Sequence, residues 1–178
     1  MSDFELEALL LSLKVGISAI AFSLPLAIGT AWLLARKEFW GKRLFDILIH
    51  IPMVMPPVVI GFALLTVFSK QGMIGRYLFD VFSIEIAFTW KAAAIAAAAM
   101  AFPLMVRSIR LSMETIDPRL ELIAASLGAS NRRIFTSVTL PLAWPGISVA
   151  MVLGFARALG EFGATIAFAA NIPCLLYT

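Results

Sequence analysis

The sequence predicts an all-α bundle of membrane-spanning helices, and three observations support this prediction. Hydrophobic residues make up 61% of the 178 positions and the mean hydropathy is +0.96, whereas a soluble domain holds roughly 45–50% apolar residues. The apolar residues form four stretches long enough to cross a hydrocarbon layer of about 30 Å. Within each stretch they run continuously rather than in alternation, which excludes a membrane β-barrel.

The first predicted span runs from about Leu9 to Ala35 and is followed by a strongly basic loop, RKEFWGKR. The segment before the span, MSDFELE, holds acids and no bases. Lys and Arg accumulate on the cytoplasmic side of a membrane. We therefore expect the N-terminus outside and the basic loop inside the cell.

The second predicted span, Leu44 to Phe68, contains the sequence PMVMPP, in which Pro52, Pro56 and Pro57 lack backbone donors. Prolines at these positions are expected to break or kink the helix. The carbonyl groups freed there need water or protein as partners. Pro56 and Pro57 therefore either border a transport pathway or form a static kink in a packed bundle.

The third predicted span, Ile84 to Val106, follows a loop that is poor in basic residues and is expected outside, SKQGMIGRYLFDVFS. The alanine-rich part of the span, KAAAIAAAAMA, predicts a smooth surface for close helix contact. The segment from Arg107 to Arg133 is again rich in arginine, so we expect it inside.

A short helix is predicted within this inner segment, in the sequence IDPRLELIAASLGAS. Asp117 can cap the free N–H groups, Pro118 suits the first turn, and Gly128 can adopt the left-handed conformation that ends a helix. A helix from Pro118 to about Leu127 is roughly 15 Å long, half the thickness of a bilayer. It therefore lies along the cytoplasmic edge.

The predicted short helix has one apolar stripe, formed by Leu120, Ile123, Ala124 and Leu127 at helical spacing, with Glu121 largely away from it. Two destinations for the stripe are open. It can rest on its own bundle or on the headgroup boundary, or it can insert into a groove on a soluble partner.

The segment from Glu121 to Pro141 resembles the cytoplasmic loop signature of permease subunits of bacterial ABC importers. That signature reads E-A-A, three residues, Gly, nine residues, Ile, any residue, Leu-Pro. The matching positions here are Ala124, Gly128, Leu140 and Pro141, with Val138 in the place of Ile. Leu122 and Ile123 stand where the signature has Glu and the first Ala. Because Glu121 is one position early, the acid contact with the partner is not carried over to it.

The fourth predicted span, Leu142 to Ala170, holds two ionisable residues, Arg157 and Glu161, on one helical face. An ion pair between them would reduce the cost of burying either charge. The pair either locks helices together or borders the translocation pathway near its outer gate. Gly160 beside them permits close packing or a bend.

The resemblance covers Leu9 to Pro173, and over this range the chain resembles the permeases of molybdate importers. It includes SLPLAIGTAWLLA, HIPMVMPPVVIGFALL, AFPLMVRSIRLSMETID and FARALGEFGATIAFAANIP, in this order. It implies a homodimeric channel in the bacterial inner membrane, a cytoplasmic ATP-binding subunit that receives the short helix, and a periplasmic molybdate-binding protein. The residues implied in coupling are Leu120, Glu121, Ile123, Ala124, Leu127, Gly128, Leu140 and Pro141. A sulfate or tungstate permease of the same class is the alternative.

Other classes of protein lack their signatures here. One cysteine and one histidine are too few for a disulfide or a His/Cys metal site. No phosphate-binding loop and no serine or metal hydrolase motif occurs, so an intramembrane enzyme is disfavoured and ATP hydrolysis is assigned to a partner chain. We expect no cofactor. The net charge of +3 resides mostly in two loops facing lipid headgroups, which does not indicate nucleic-acid binding.

The chain is predicted to be one permease domain over residues 1–178. The family to which it is similar continues after NIP into a further span, which we expect to be missing here. The last five residues, CLLYT, are expected to be non-native, because their codons can match a sequencing-library adapter.

Overall fold

The computed structural model describes residues 3–82, 86–161 and 163–169, and over these ranges the ordered elements are helices without strands. Helices α1 to α5 are Asp3–Arg36, Lys42–Val54, Pro57–Phe68, Met73–Phe82 and Trp90–Glu114. They are followed by α6 (Pro118–Ser126), α7 (Asn131–Ile134), a π-helix (Phe135–Thr139), α8 (Leu140–Leu142), α9 (Trp144–Leu159) and α10 (Gly163–Ala169).

Helices α1, α5 and α9 pack side by side at the centre of the bundle, and α10 contacts both α3 and α5. One core cluster is built on the small residues of α5. Ala92, Ala93 and Ala96 are fully buried there, in a cluster that includes Ala19 of α1 and Phe168 of α10. Side chains this small let helices approach closely. The predicted alanine surface for helix contact is confirmed.

A second core cluster holds the other end of the bundle together. It contains larger side chains, which are fully buried: Leu34, Met105, Ile109, Met113 and Ile147. These residues join the end of α1, the second half of α5 and the start of α9. They fix the end of the bundle at which α6 lies.

Among the described residues, three helical segments are long and apolar enough to span a membrane, namely Leu6–Arg36, Pro57–Tyr77 and Trp90–Glu114. A bent pair, Asn131–Leu142 with Trp144–Leu159, makes a fourth span if its two parts are taken together, and the bend measures 67°. The predicted all-α membrane bundle is therefore confirmed, with a bend in its last described span.

The break predicted in the second span is confirmed, but the bounds of that span, Leu44 to Phe68, are wrong. The span is divided into α2 and α3 at Met55 and Pro56, whose ψ angles are 145° and 133°. A proline disfavours helical conformation in the residue before it, so Pro56 and Pro57 produce the predicted break. Pro52 lies inside α2 and does not end it.

The predicted outer loop of residues 69–83 contains a helix, α4, which is a second correction. Arg76 and Asp80, four residues apart on α4, form an exposed ion pair of 3.7 Å between Nε and Oδ2. Such a pair supports a helix. The apolar, membrane-length segment accordingly runs from Pro57 to Tyr77 rather than ending at Phe68.

The boundaries of the third and fourth spans also differ from the prediction. Helix α5 continues past Val106 to Glu114, because arginine is a good helix former and the next strong breaker is Pro118. The fourth predicted span is two helices, since α9 ends at Leu159 and α10 begins at Gly163. The predicted non-native residues 174–178 lie outside the described residues.

Candidate coupling and gate sites

Helix α6 has the ends that the sequence predicts. Asp117 Oδ1 accepts a hydrogen bond of 2.9 Å from the Arg119 N–H, and Pro118 occupies the first turn. At the other end Gly128 has φ +84°, a left-handed conformation that glycine adopts without strain. The helix ends at Ser126, one residue before the predicted Leu127.

The apolar stripe of α6 faces away from the bundle. Leu120, Ile123 and Leu127 are 43%, 56% and 83% exposed, whereas Ala124 is half-buried. Leu122, which was not placed in the stripe, is exposed as well. Within the described part of the chain these leucine and isoleucine side chains do not rest on their own bundle, which leaves the headgroup boundary and a groove on a soluble partner as their two destinations.

Glu121 lies on the inner side of α6 and contacts two other elements. Its Oε1 accepts hydrogen bonds from Arg36 Nε of α1 at 3.0 Å and from Thr139 Oγ1 of the π-helix at 2.8 Å. Arg36 Nη2 also donates to the Ile116 carbonyl at 3.2 Å, in the turn between α5 and α6. The sequence predicts Glu121 away from the stripe and indicates no partner for it.

The charges alone make Arg36 a candidate partner for Glu121 but do not single it out. Arg36 ends the first span on the side predicted for Glu121, and a basic and an acidic residue at one membrane face are candidates for pairing. Thr139 carries no charge, so the sequence did not indicate that it contacts Glu121. It reaches Glu121 because the π-helix, in which the Leu140 N–H donates to the Phe135 carbonyl, turns Thr139 into the buried side.

Leu140 and Pro141, the last two coupling residues of the signature, follow the π-helix directly. Leu140 packs against the second core cluster, and Pro141 is exposed. Because Pro141 has no N–H, the turn before it lacks one helical hydrogen bond and can widen. A single π-turn within a helix is frequently found at functional sites.

A groove of about 440 Å³ lies between the end of α1 and the coupling segment. The Arg36–Glu121 contact forms part of its wall, together with Leu122, Ala125 and Phe135. Phe135 also meets Trp32 of α1 edge to face, with 5.6 Å between ring centroids. Aromatic and charged contacts thus join α1 to the segment that follows α5.

The second candidate site is the junction of α9, α10 and α3. Arg157 Nη1 donates to Glu161 Oε2, so the predicted ion pair is present. The Glu161 side chain is 1% exposed, and its Oε1 accepts the Ala164 N–H at 2.9 Å. Glu161 therefore binds both the last turn of α9 and the first turn of α10.

The two predicted pathway segments meet at this junction. A Cβ added to Gly163 would lie 2.8 Å from Cβ of Pro57, and one added to Gly61 would lie 2.7 Å from Cβ of Ala167. The start of α3, after Pro56, thus packs closely on α10. Gly160 ends α9 with an ordinary φ of −85°, and the nearest atom that a Cβ there would meet among the described residues is the Ala156 carbonyl oxygen at 3.5 Å.

A third charged cluster joins α2 to α5, and the sequence did not predict it. Arg110 Nη1 donates to Asp46 Oδ2 at 2.9 Å, and its Nε donates to Glu114 Oε1 at 2.7 Å. His50 lies beside this cluster, with its Nδ1 2.8 Å from the Asp46 carbonyl oxygen.

The comparisons with known proteins agree with one another and cover most of the chain. A family described as "Binding-protein-dependent transport system inner membrane component" matches residues 23–175. The molybdenum transport system permease protein ModB of Haemophilus influenzae is 55% identical over 168 residues, which cover 94% of this chain and 73% of that protein. ModB of Escherichia coli K12 is 54% identical over 173 residues, covering 97% of this chain and 76% of that protein.

Among solved structures, the fold is similar to the crystal structure of a bacterial ABC transporter involved in the import of the acidic polysaccharide alginate. The TM-score is 0.73 at 18% identity, and the match covers 94% of this chain and 62% of that chain. At this identity the likeness supports the fold alone.

Proposed function

The chain belongs to the family of binding-protein-dependent transport system inner membrane components, and we propose that it is the permease of an ATP-driven molybdate importer. It is thus a multi-pass transporter subunit of the inner membrane. The observation that supports molybdate is the identity of 54–55% to two molybdenum permeases over at least 94% of the chain. Tungstate and sulfate have the same charge and tetrahedral shape, so they are the alternative cargoes.

The proposed contact with the motor is α6. We place α6 in a groove of a separate cytoplasmic ATP-binding subunit, which would bury the exposed side chains of Leu120, Ile123 and Leu127. Gly128 lets the chain turn sharply after α6, and Leu140 and Pro141 lead from the coupling segment into α9. Movement of α6 would then change the arrangement of the helices attached to it.

The proposed outer gate is the junction of α9, α10 and α3. Arg157 is partly exposed and would favour passage of an anion, while the buried Glu161 holds its guanidinium in place. Pro56, Pro57 and Gly160 interrupt the helices on both sides of this junction. Short helices joined by breaks can reorient as units, as switching between outward and inward access requires.

The proposed assembly contains two copies of the permease, the ATP-binding subunit and a periplasmic molybdate-binding protein. Membrane lipid surrounds the apolar outer surface, which includes Leu9, Ile17 and Phe22 of α1. A pathway between two identical copies would place Arg157 of each copy near a common axis.

The proposal is tested by uptake of radiolabelled molybdate in bacteria that lack their own molybdate importer. The permease is expressed with the ATP-binding subunit and the binding protein encoded beside it. We expect ATP-dependent uptake in which unlabelled molybdate competes better than sulfate. Stronger competition by sulfate would reassign the cargo, and absence of uptake with an assembled complex would contradict the proposal.

Coupling through α6 is tested in the same cells with Ile123→Asp. A carboxylate in a closed apolar groove is costly, so the variant is expected to lose both co-purification of the ATP-binding subunit and molybdate uptake. The control is Trp40→Asp, which places the same charge at a fully exposed aromatic side chain between α1 and α2. Retained co-purification by Ile123→Asp would contradict docking through this face.

A further inference from the structure

We propose that Glu121 is a positioning residue that ties α6 to α1, so that a motor acting on α6 moves α1 together with it. This inference rests on the proposed function, because it presumes a partner that moves α6. The proposed link lets a movement of α6 reach α1, which the backbone does not connect directly to α6. It also gives Glu121 a role inside the permease rather than at the surface that contacts the partner.

The connectivity explains why such a link is needed. Helix α6 is joined through the backbone to α5 on one side and, through α7, the π-helix and α8, to α9 on the other. Helix α1 is remote in the chain, since Arg36 and Glu121 are 85 residues apart. A displacement of α6 would therefore reach α5 and α9 through peptide bonds, but it would reach α1 only through side chains.

Arg36 holds the first half of α6 at two points. Its Nη2 donates to the Ile116 carbonyl just before α6, and its Nε donates to Glu121 in the first turn. One planar guanidinium with two fixed contacts restrains rotation as well as separation. At the other end of α6, the bonds of Gly128 and Ala129 run back to Ala125 and Ala124 of the same helix, so they do not tie that end to α1.

The bonds to Glu121 are of a kind that can transmit force. The Arg36 and Glu121 side chains are 12% and 22% exposed, so salt screens their attraction less than that of a surface pair. Thr139 is 1% exposed and donates to the same Oε1 atom. Hydrogen bonds between charged groups are stronger than neutral ones, and one carboxylate oxygen here joins α1, α6 and the π-helix.

The first experiment measures transport and ATP hydrolysis by the assembled complex in liposomes. Glu121→Gln keeps the size of the side chain but removes its charge. We expect the ATP-binding subunit to remain bound while molybdate transported per ATP falls about tenfold, within the usual range for coupling between two sites. The exchanged pair, Arg36→Glu with Glu121→Arg, is expected to recover part of this ratio.

The matched control removes an acid from an exposed ion pair. Asp80→Asn breaks the Arg76–Asp80 contact on α4 and is expected to leave the transport ratio unchanged. An unchanged ratio in Glu121→Gln would overturn the proposed link. Loss of the ATP-binding subunit from Glu121→Gln, without recovery in the exchanged pair, would show that Glu121 contacts the partner instead, and would also overturn it.

A second experiment does not depend on the cargo. Spin labels at Lys37→Cys and Ala125→Cys, in a Cys174→Ser background, report the distance between the end of α1 and α6. We expect the same distance with and without ATP in the complex, and a nucleotide-dependent change once Glu121→Gln is added. A change with ATP while Glu121 is intact would overturn the link even if the transported ion proved not to be molybdate.

Discussion

At the scale of single residues, Gly128 is a position where the effect of backbone conformation on stability can be measured without a steric clash. Its φ is +84°, yet in the part of the chain that the structure describes an added Cβ would have no atom within 4 Å beyond those of its two chain neighbours. Gly128→Ala should therefore lower stability through conformation alone, by roughly 1–2 kcal/mol. The measurement is the midpoint of thermal unfolding in detergent.

Gly29 is the matched control for this prediction. It also has open space around an added Cβ, but it lies inside α1 with ordinary helical geometry. Gly29→Ala is expected to be neutral or to stabilise by about 0.5–1 kcal/mol, because glycine weakens a helix interior. Equal unfolding midpoints for the two variants would contradict a conformational role for Gly128.

The exact position of Glu121 on α6 determines which residues it contacts, and the importer signature alone does not predict these contacts. The importer signature has its acid one position later, where this chain has Leu122, and that side chain is 68% exposed. Shifting the acid by one residue rotates it by about 100° around the helix axis. The carboxylate thereby faces Arg36 and Thr139, and a leucine occupies the outer surface in its place.

At the scale of elements, the junction of α9 and α10 depends on one buried carboxylate. Glu161→Ala would leave the Arg157 guanidinium without its carboxylate and the Ala164 N–H without its acceptor. We expect a loss of about 2 kcal/mol, since unsatisfied buried groups typically cost 1–3 kcal/mol. The measurement is again thermal unfolding in detergent.

The control for the junction is Glu38→Ala, which removes an 89% exposed carboxylate from an ion pair with Lys42. Exposed pairs contribute little, so this variant should keep the unfolding midpoint of the unchanged protein. Adding Arg157→Ala to Glu161→Ala should cost less than the sum of the two single changes, because the lone charge is then gone. Strict additivity would argue against a coupled pair.

Local signals in the sequence predicted some elements well and others poorly. Asp117, Pro118 and Gly128 act on their immediate neighbours, so both ends of α6 could be predicted to within a residue. Pro56 and Pro57 likewise act locally and gave the break between α2 and α3. The end of α5 was predicted too early, because Arg107 and Arg110 were taken as loop residues although charge alone does not end a helix.

The candidate sites were predictable only where their partners are close in the chain. Arg157 and Glu161 are four residues apart, and helical spacing sufficed to pair them. The Arg36–Glu121 and Asp46–Arg110 pairs join residues 85 and 64 positions apart. Their formation depends on how α1, α2 and α5 pack, which periodicity does not determine.

At the scale of the whole molecule, the structure brings the two basic segments of the sequence to one end of the bundle. Arg36 of the first segment contacts Glu121, and Arg110 of the second contacts Asp46 of α2. The turn between α3 and α4 adjoins the other core cluster, through Phe68 and Leu65. This separation fits a protein whose basic end faces the cytoplasm.

The orientation itself is open to a direct measurement in intact cells, using single cysteines in a Cys174→Ser background and a membrane-impermeant maleimide. Asp80→Cys, on α4 beyond the end of the Pro57–Tyr77 segment and with an exposed side chain, is expected to react from outside. Ser126→Cys on α6 and Trp40→Cys between α1 and α2 are expected to react only after the cells are opened, since both lie at the basic end. Labelling of Ser126→Cys in intact cells would put α6 on the side away from ATP, where no cytoplasmic motor could reach it.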